Sequence, residues 1–301
     1  MGGPSNTGEI RGYLKSIFTD PAILPLPGFL RKPLAGFISG RRAPKVARRY
    51  DLIGGGSPLP HWTLKLRKLM AAEIKNANTE VLHAFRYSPP TIEIALKGLK
   101  NGNIEEIILL PLFPHRTGAM TGSIEQETAR VCDKKSINFK SIPAWGNRRE
   151  ILSIWSDYID NELIELQTDT FVLFVAHGIP LRNVNMGDDY PHQVRKTAEA
   201  LGKNLPRNIR WSLAFQSRVG PVKWTGPYLE DEIVRASKTA KNLLLVPLSF
   251  VADCLETLYD LDIVAPQLAK EAGFGMVKRV RVFNDDPRFA RALASFVSEV
   301  L

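Results

Sequence analysis

Cysteine is scarce in this sequence of 301 residues: Cys132 and Cys254 are the only two, and they lie far apart. That argues against a disulfide framework and against a Cys-clustered zinc or iron–sulfur site, and both read as reduced thiols. Long apolar runs are missing as well, since no stretch reaches the roughly 18 residues that a membrane-spanning helix requires. The amino-terminal Met1-Gly2-Gly3-Pro4 has neither the basic start nor the apolar stretch of a secretory signal, so a cytoplasmic location is the expectation. Acidic residues are absent from Pro21 to Tyr50, a segment that holds Arg31, Lys32, Arg41, Arg42, Lys45, Arg48 and Arg49 and carries much of the net charge of +9. No nucleic-acid recognition motif and no aromatic stacking run accompanies it, so no nucleic-acid partner is expected. Its companions are apolar, Phe29, Leu30, Leu34 and Phe37 among them, and Pro25, Pro27 and Pro33 interrupt it. A basic, apolar lip over 21–49 is expected, either docking peripherally on an anionic membrane surface or lying as a solvated loop over a pocket.

What is present is ordinary globular material, 44% hydrophobic and 24% charged. Short β-branched or apolar runs predict strands at Tyr50–Ile53, Val81–Tyr87, Glu106–Phe113, Phe139–Trp145, Phe171–Ala176, Ile209–Phe215, Leu243–Phe250 and Val277–Phe283. Helices are predicted between them at His61–Ala77, Pro90–Leu99, Ser123–Asp133 and Glu150–Leu166, with a last one at Pro287–Leu301 opened by Asp286-Pro287. Strands alternating with helices imply an α/β fold with parallel sheets. A boundary near Gly146–Glu150 would divide it into two Rossmann-like domains, 1–147 and 148–286, each with a four-stranded layer, followed by the helix at 287–301.

Three places could carry chemistry. His177 ends a buried run, Phe174-Val175-Ala176-His177, and precedes Gly178-Ile179-Pro180, an address at the carboxyl end of a strand where α/β sheets bind ligands. Its imidazole could take a proton or hold a metal, or merely cap the strand. In Asp253-Cys254-Leu255-Glu256 the two acids have the spacing of a capping box; Glu256 could instead point into the cleft of His177. Gly54-Gly55-Gly56-Ser57 lacks the Lys-Ser/Thr of a phosphate loop and the spacing of a dinucleotide fingerprint, which leaves a tight turn or a close approach to a flat ligand.

These segments resemble ferrochelatase motifs when taken with others in the family's order: Gly2-Gly3-Pro4, Tyr50 to Leu59, Phe85-Arg86-Tyr87, Leu110 to Pro114 with Thr121-Gly122-Ser123, and His177 to Pro180. Gly187-Asp188-Asp189-Tyr190, Gln216 to Pro221 with Trp224, and Asp253 to Asp262 complete the series and carry it over nearly the whole chain. The resemblance implies two Rossmann-like domains with a porphyrin cleft between them, and a lyase that inserts Fe²⁺ into a porphyrin, protoporphyrin IX or coproporphyrin III, in haem synthesis. It further implies that His177 and Glu256 are the catalytic and metal-contacting residues, and that Ser57, Arg86, Tyr87 and Phe113 bind porphyrin. Iron would be a substrate, with no tightly bound cofactor.

The sequence departs from the family at Val175, commonly serine, at Phe113, usually tyrosine, and at Cys254, usually histidine. Members with an iron–sulfur cluster need several cysteines near the C-terminus; none follows Cys254, so no cluster is expected. An apolar strand normally precedes Gly-Gly-Pro, where this sequence has Met1 alone, so an uncovered sheet edge and a start further upstream are expected. Rival readings are a cobalt or nickel chelatase of another tetrapyrrole pathway and a catalytically silent porphyrin or haem carrier.

Overall fold

The computed structural model describes residues 1–97, 99, 104–166 and 169–301. The chain opens with a helical hairpin. Helix α1 (Ile10–Thr19) turns Ile10 and Leu14 inward, and α2 (Gly28–Asp51) answers with Val46 and Tyr50, the four-residue spacing that places side chains on one helical face. Two expectations are corrected here. The lip over 21–49 is mostly one helix that runs through Pro33 and Pro44, and Tyr50–Ile53 is the end of that helix and its turn, not a strand. The helical period carried from Val46 to Tyr50 buries Tyr50, Arg48 and Arg49 sit at the helix end that favours cations, and Gly54 and Gly55 at φ +102° and +86° turn the chain away.

Helices α3 (Leu59–Glu73) and α4 (Ile92–Lys97) precede strand β1 (Glu106–Leu109), and α5 (Ser123–Asp133) leads to β2 (Asn138–Ser141). Gly98, inside the helix predicted at Pro90–Leu99, lies outside the described residues. β1 and β2 pair in parallel from Glu106↔Asn138 to Leu109↔Ser141. The four-stranded layer expected in this half is therefore a two-stranded one among the described residues. Val81–Tyr87 joins no ladder; its backbone contacts include the isolated bridge Phe85↔Thr91 and the Tyr87 amide donating to the Met1 carbonyl at 3.0 Å.

The second half matches its pattern more closely. After α6 (Arg149–Leu166) come β3 (Thr170–His177), α7 (Leu181–Asn185), α8 (Tyr190–Gly202), β4 (Arg210–Gln216), α9 (Leu229–Ser237), β5 (Asn242–Pro247), α10 (Ala265–Glu271), β6 (Met276–Arg279) and α11 (Pro287–Ser298). The four strands form one parallel sheet in the order β4-β3-β5-β6. Alternation along β3 divides its side chains between two cores. Val172, Phe174 and Ala176 pack with residues of α6, α8 and α11, whereas Phe171, Leu173 and Val175 pack with those of α9 and α10. Burying one such phenylalanine contributes ~2 kcal/mol or more. The first core also takes in Leu66 and Met70 of α3 and Trp145, and α11 packs against α3, so the terminal helix ties the second half back to the first.

Candidate active site

The strand order sets the address. From β3 the chain moves to β4 on one side and then to β5 on the other, so the connections diverge at the carboxyl ends of β3 and β5, the crevice where open α/β sheets bind ligands. His177 is the last residue of β3. Its backbone is fixed on both sides: the Tyr190 hydroxyl donates to its carbonyl at 2.9 Å, its amide donates to Ser249 Oγ at 3.3 Å, and Tyr190 and Ser249 are themselves 2.6 Å apart. The ring meets Phe250 edge to face at 6.4 Å. Burial lowers the imidazole pKa and the Glu256 carboxylate pulls it partly back, which keeps the ring neutral at neutral pH.

Glu256 opens a π-helical turn, Glu256–Val264, in the loop that follows β5. Such turns are wider than the α-helix and recur at functional sites. The capping box does not form. Asp253 accepts instead from Thr257 Oγ1 at 3.0 Å and Asn284 Nδ2 at 2.8 Å, and the residue at the cap position, Leu255, supplies no side-chain bond. Glu256 is thereby left to face the crevice residues. Its charge bears on His177, on Tyr13, on Tyr50 and on Cys254, whose thiol hydrogen-bonds to it and is driven well above its usual pKa by burial first and by Glu256 second.

Several of these residues were not legible as site residues. Tyr13, whose hydroxyl donates to the Gly2 carbonyl at 2.9 Å, is buried within the electrostatic reach of Tyr50, Glu256, Cys254 and Tyr87. Tyr50, read in sequence as a strand residue, hydrogen-bonds Ser57. Asp260 on the π-turn is pushed up to about 6 by burial and by Glu256, against the pull of Arg49, 3.8 Å away. Arg49 also lies over the Tyr259 ring at 5.0 Å, so α2 is fastened to the turn that carries Glu256.

The other predicted residues are spread more widely. Ser57 lies beside Gly3, where a Cβ would stand 2.3 Å from its own Cβ, so the glycine-rich loop serves a close approach of two chain segments as well as a turn. Arg86 and Tyr87 converge on buried Asp20: Arg86 Nη2 lies 2.9 Å from Asp20 Oδ2, the Tyr87 hydroxyl donates to the same atom at 3.0 Å, and Ser123 does so at 2.5 Å. Arg86 also borders a cavity of about 310 Å³ with Lys15 and Thr19. Phe113 borders another, of about 210 Å³, at the carboxyl ends of β1 and β2 with Arg116 and Glu125; neither His177 nor Glu256 lines it. Across the two halves, Thr117 Oγ1 donates to Asp188 at 2.7 Å and the Arg116 amide to Gln193 at 2.9 Å. Among the described residues no three His, Cys, Asp or Glu side chains gather as a metal cage, and no helix is long and apolar enough to cross a membrane.

The family model described as Ferrochelatase matches residues 1–301. The chain belongs to the ferrochelatase family. It is 36% identical over 306 residues to the ferrochelatase of Pelagibacter ubique, covering 99% of this chain and 88% of that one. With the mitochondrial ferrochelatase of Homo sapiens it shares 34% over 312 residues, 99% of this chain and 73% of the relative. Among solved structures, SirB from Bacillus subtilis with Fe³⁺ superposes with a TM-score of 0.58 at 17% identity, over 79% of this chain and 88% of that one. That likeness speaks for a chelatase-like fold, and the motifs that hold His177, Glu256 and Ser57 fall at the sheet's carboxyl end, in the π-turn and in the glycine-rich loop.

Proposed function

We propose that this chain performs the reaction its family is named for: the insertion of Fe²⁺ into a free-base porphyrin, a lyase step of haem synthesis. The observation that carries the reading is a buried, neutral imidazole, His177, within the electrostatic reach of a carboxyl group, Glu256, that no capping bond has claimed, both at the point where the sheet's connections diverge. Insertion exchanges two pyrrole N–H protons for one divalent metal. His177 takes a pyrrole proton or presents the metal, and Glu256 takes or relays the other; an imidazole and a carboxylate hold Fe²⁺ weakly enough to release it. Iron enters as substrate and no resident cofactor is required; the chain's two cysteines are fewer than the four thiolates of an iron–sulfur cluster.

Ser57, Arg86, Tyr87 and Phe113 form the porphyrin walls in this reading, Arg86 and Tyr87 held in place by Asp20. Domains 1–147 and 148–286 flank the cleft, and the helix at 287–301 braces them. An anaerobic assay with Fe²⁺ and either protoporphyrin IX or coproporphyrin III, followed by absorbance, tests the reaction; turnover of neither ring refutes it.

The lip has a second task in the same reading. Phe29 and Phe37 are 77% and 66% exposed on a helix without acids before its last residue, a surface suited to peripheral docking on anionic lipid, where apolar porphyrin collects. Vesicles containing phosphatidylserine should sediment the protein at low salt and less of it at 0.5 M salt, on the order of the ionic strength that shortens the Debye length below 5 Å. No binding at either salt rejects the docking surface.

A further inference from the structure

Asp253 and Glu256 have the spacing of a capping box, yet the fold spends Asp253 elsewhere, and the group that claims it is Arg279. This residue ends β6 and its side chain is 11% exposed. Its guanidinium grips two carboxylates that bracket Glu256 in the chain. Nη2 donates to Asp253 Oδ1 at 3.2 Å, while Nε and Nη2 donate to Asp262 Oδ1 and Oδ2 at 2.6 and 2.8 Å. Asp262 lies inside the π-turn, and Asp253 immediately precedes it with Thr257 and Asn284 on its remaining lone pairs. A planar fork meeting a carboxylate in two parallel bonds fixes orientation as well as distance, which an ammonium would not.

A π-turn has poorer hydrogen-bond geometry than an α-helix and no cap of its own at this end, so it needs fastening from outside. Were Asp253 free, the local preference would be to fold it and Glu256 back onto the first amides of the turn. We propose that Arg279 is a positioning residue: by clamping the π-turn on both sides of Glu256, it withdraws Asp253 from capping and presents the Glu256 carboxyl to His177. Arg279 touches neither porphyrin nor iron in this arrangement and acts through Glu256, so the inference rests on the role of Glu256 given above.

The test uses the full chain with Arg279→Met, which keeps the length of the side chain and removes the fork, and Asp262→Asn, which leaves the Asp253 contact in place. Steady-state Fe²⁺ insertion is measured with the porphyrin the unaltered chain turns over, and iodoacetamide labelling of Cys254, whose amide and thiol bond to Thr257 and Glu256 of that turn, is followed by mass spectrometry. Arg279→Met should lower kcat about 10- to 100-fold, the scale of a 1 Å misplacement, with KM for porphyrin within about twofold. Asp262→Asn should lower kcat by about threefold to tenfold, as expected for weakened charge-assisted bonds. Cys254 should label faster in both. A folded Arg279→Met protein with unchanged kcat, or with the loss confined to KM, overturns the proposal. Should that variant fail to fold, wild-type kcat and labelling in Asp262→Asn overturn it instead. If the unaltered chain inserts iron into no porphyrin, the functional reading falls, and unchanged Cys254 labelling in the variants then sinks the clamp on its own.

Discussion

Asp260 works against the stability of the fold that holds it. On the π-turn its carboxyl pKa is pushed from 3.8 up to about 6, by burial first and by Glu256 second, although Arg49 and a hydrogen bond from Ser217 pull the other way. A carboxyl group with a raised folded pKa binds its proton more tightly folded than unfolded. Its cost is therefore absent below pH ~4, grows between pH ~4 and ~6, and is fully present above that. A difference of about two pH units corresponds to ~3 kcal/mol. Asp260→Asn removes this cost but also the Arg49 pair at 3.8 Å, whose arginine side chain is 34% exposed and keeps the Tyr259 ring beneath it. The raised pKa already contains that pull of Arg49, so the net gain at pH 8 is ~3 kcal/mol, or about 6 °C in Tm. Urea unfolding at pH 4, 6 and 8 reads it directly: the variant should unfold at higher urea at pH 8, and the advantage should shrink and vanish at pH 4. A gain of equal size at all three pH values, or none at pH 8, would refute the reasoning.

Three further outcomes are expected. His177→Ala should lower kcat by about 10²- to 10⁴-fold, the range for losing a general base, while porphyrin affinity measured by fluorescence quenching stays within a few fold; wild-type turnover would remove the imidazole from the chemistry. Glu256→Gln should show a rate loss of comparable scale with its melting temperature nearly unchanged, because no cap is lost, and a much lower melting temperature with normal specific activity would restore the capping role. Asp20→Ala should destabilise the fold by about 3–5 kcal/mol, since it strands Arg86 together with the buried hydroxyls of Tyr87 and Ser123, and a urea midpoint equal to that of the unaltered chain would contradict that.

How far the sequence could be read depended on whether its patterns were local. Phe171–Ala176 of β3 and Leu243–Val246 of β5 are apolar runs because both faces are covered, and Ser123–Asp133 is amphipathic; these announce themselves. His177 was legible because a buried run ends there in a Gly/Pro turn. Tyr50–Ile53 misled because a β-branched, aromatic run of four is too short to have a period of its own, and the deciding partner, Val46, lies upstream. The prolines of the lip suggested breaks that packing against α1 overrides. Asp253 and Glu256 carried a genuine capping signal, and what defeats it, Arg279 with Asn284, arrives from the neighbouring strand β6 and the loop after it, well downstream in sequence. Tyr13 and Ser249 had no signal, since their roles exist only once the hairpin and the carboxyl ends of the sheet are assembled.

The substitution at Cys254 bears on how charge is handled in the proposed reaction. Burial and Glu256 together hold the thiol protonated, so Cys254 is a neutral partner of Glu256 and no sink for a proton. Of the groups around the crevice, Tyr13 and Tyr50 are likewise driven up by burial and stay neutral. In the proposed reaction, where His177 acts as a base, that leaves His177 and Glu256 as the acceptors of the two pyrrole protons while iron brings in two positive charges. Held on that pair, the two protons leave the buried site two charges more positive than before iron entered, and the balance returns only when they depart, which matters where burial penalises every uncompensated charge. Both acceptors would have to be emptied before the next turnover, and Asp260, raised to about 6 by burial and by the charge of Glu256, is a neighbouring carboxyl group suited to that exchange near neutral pH. A histidine at position 254 would add a third base to this site; a thiol keeps the protons on the pair that has to release them.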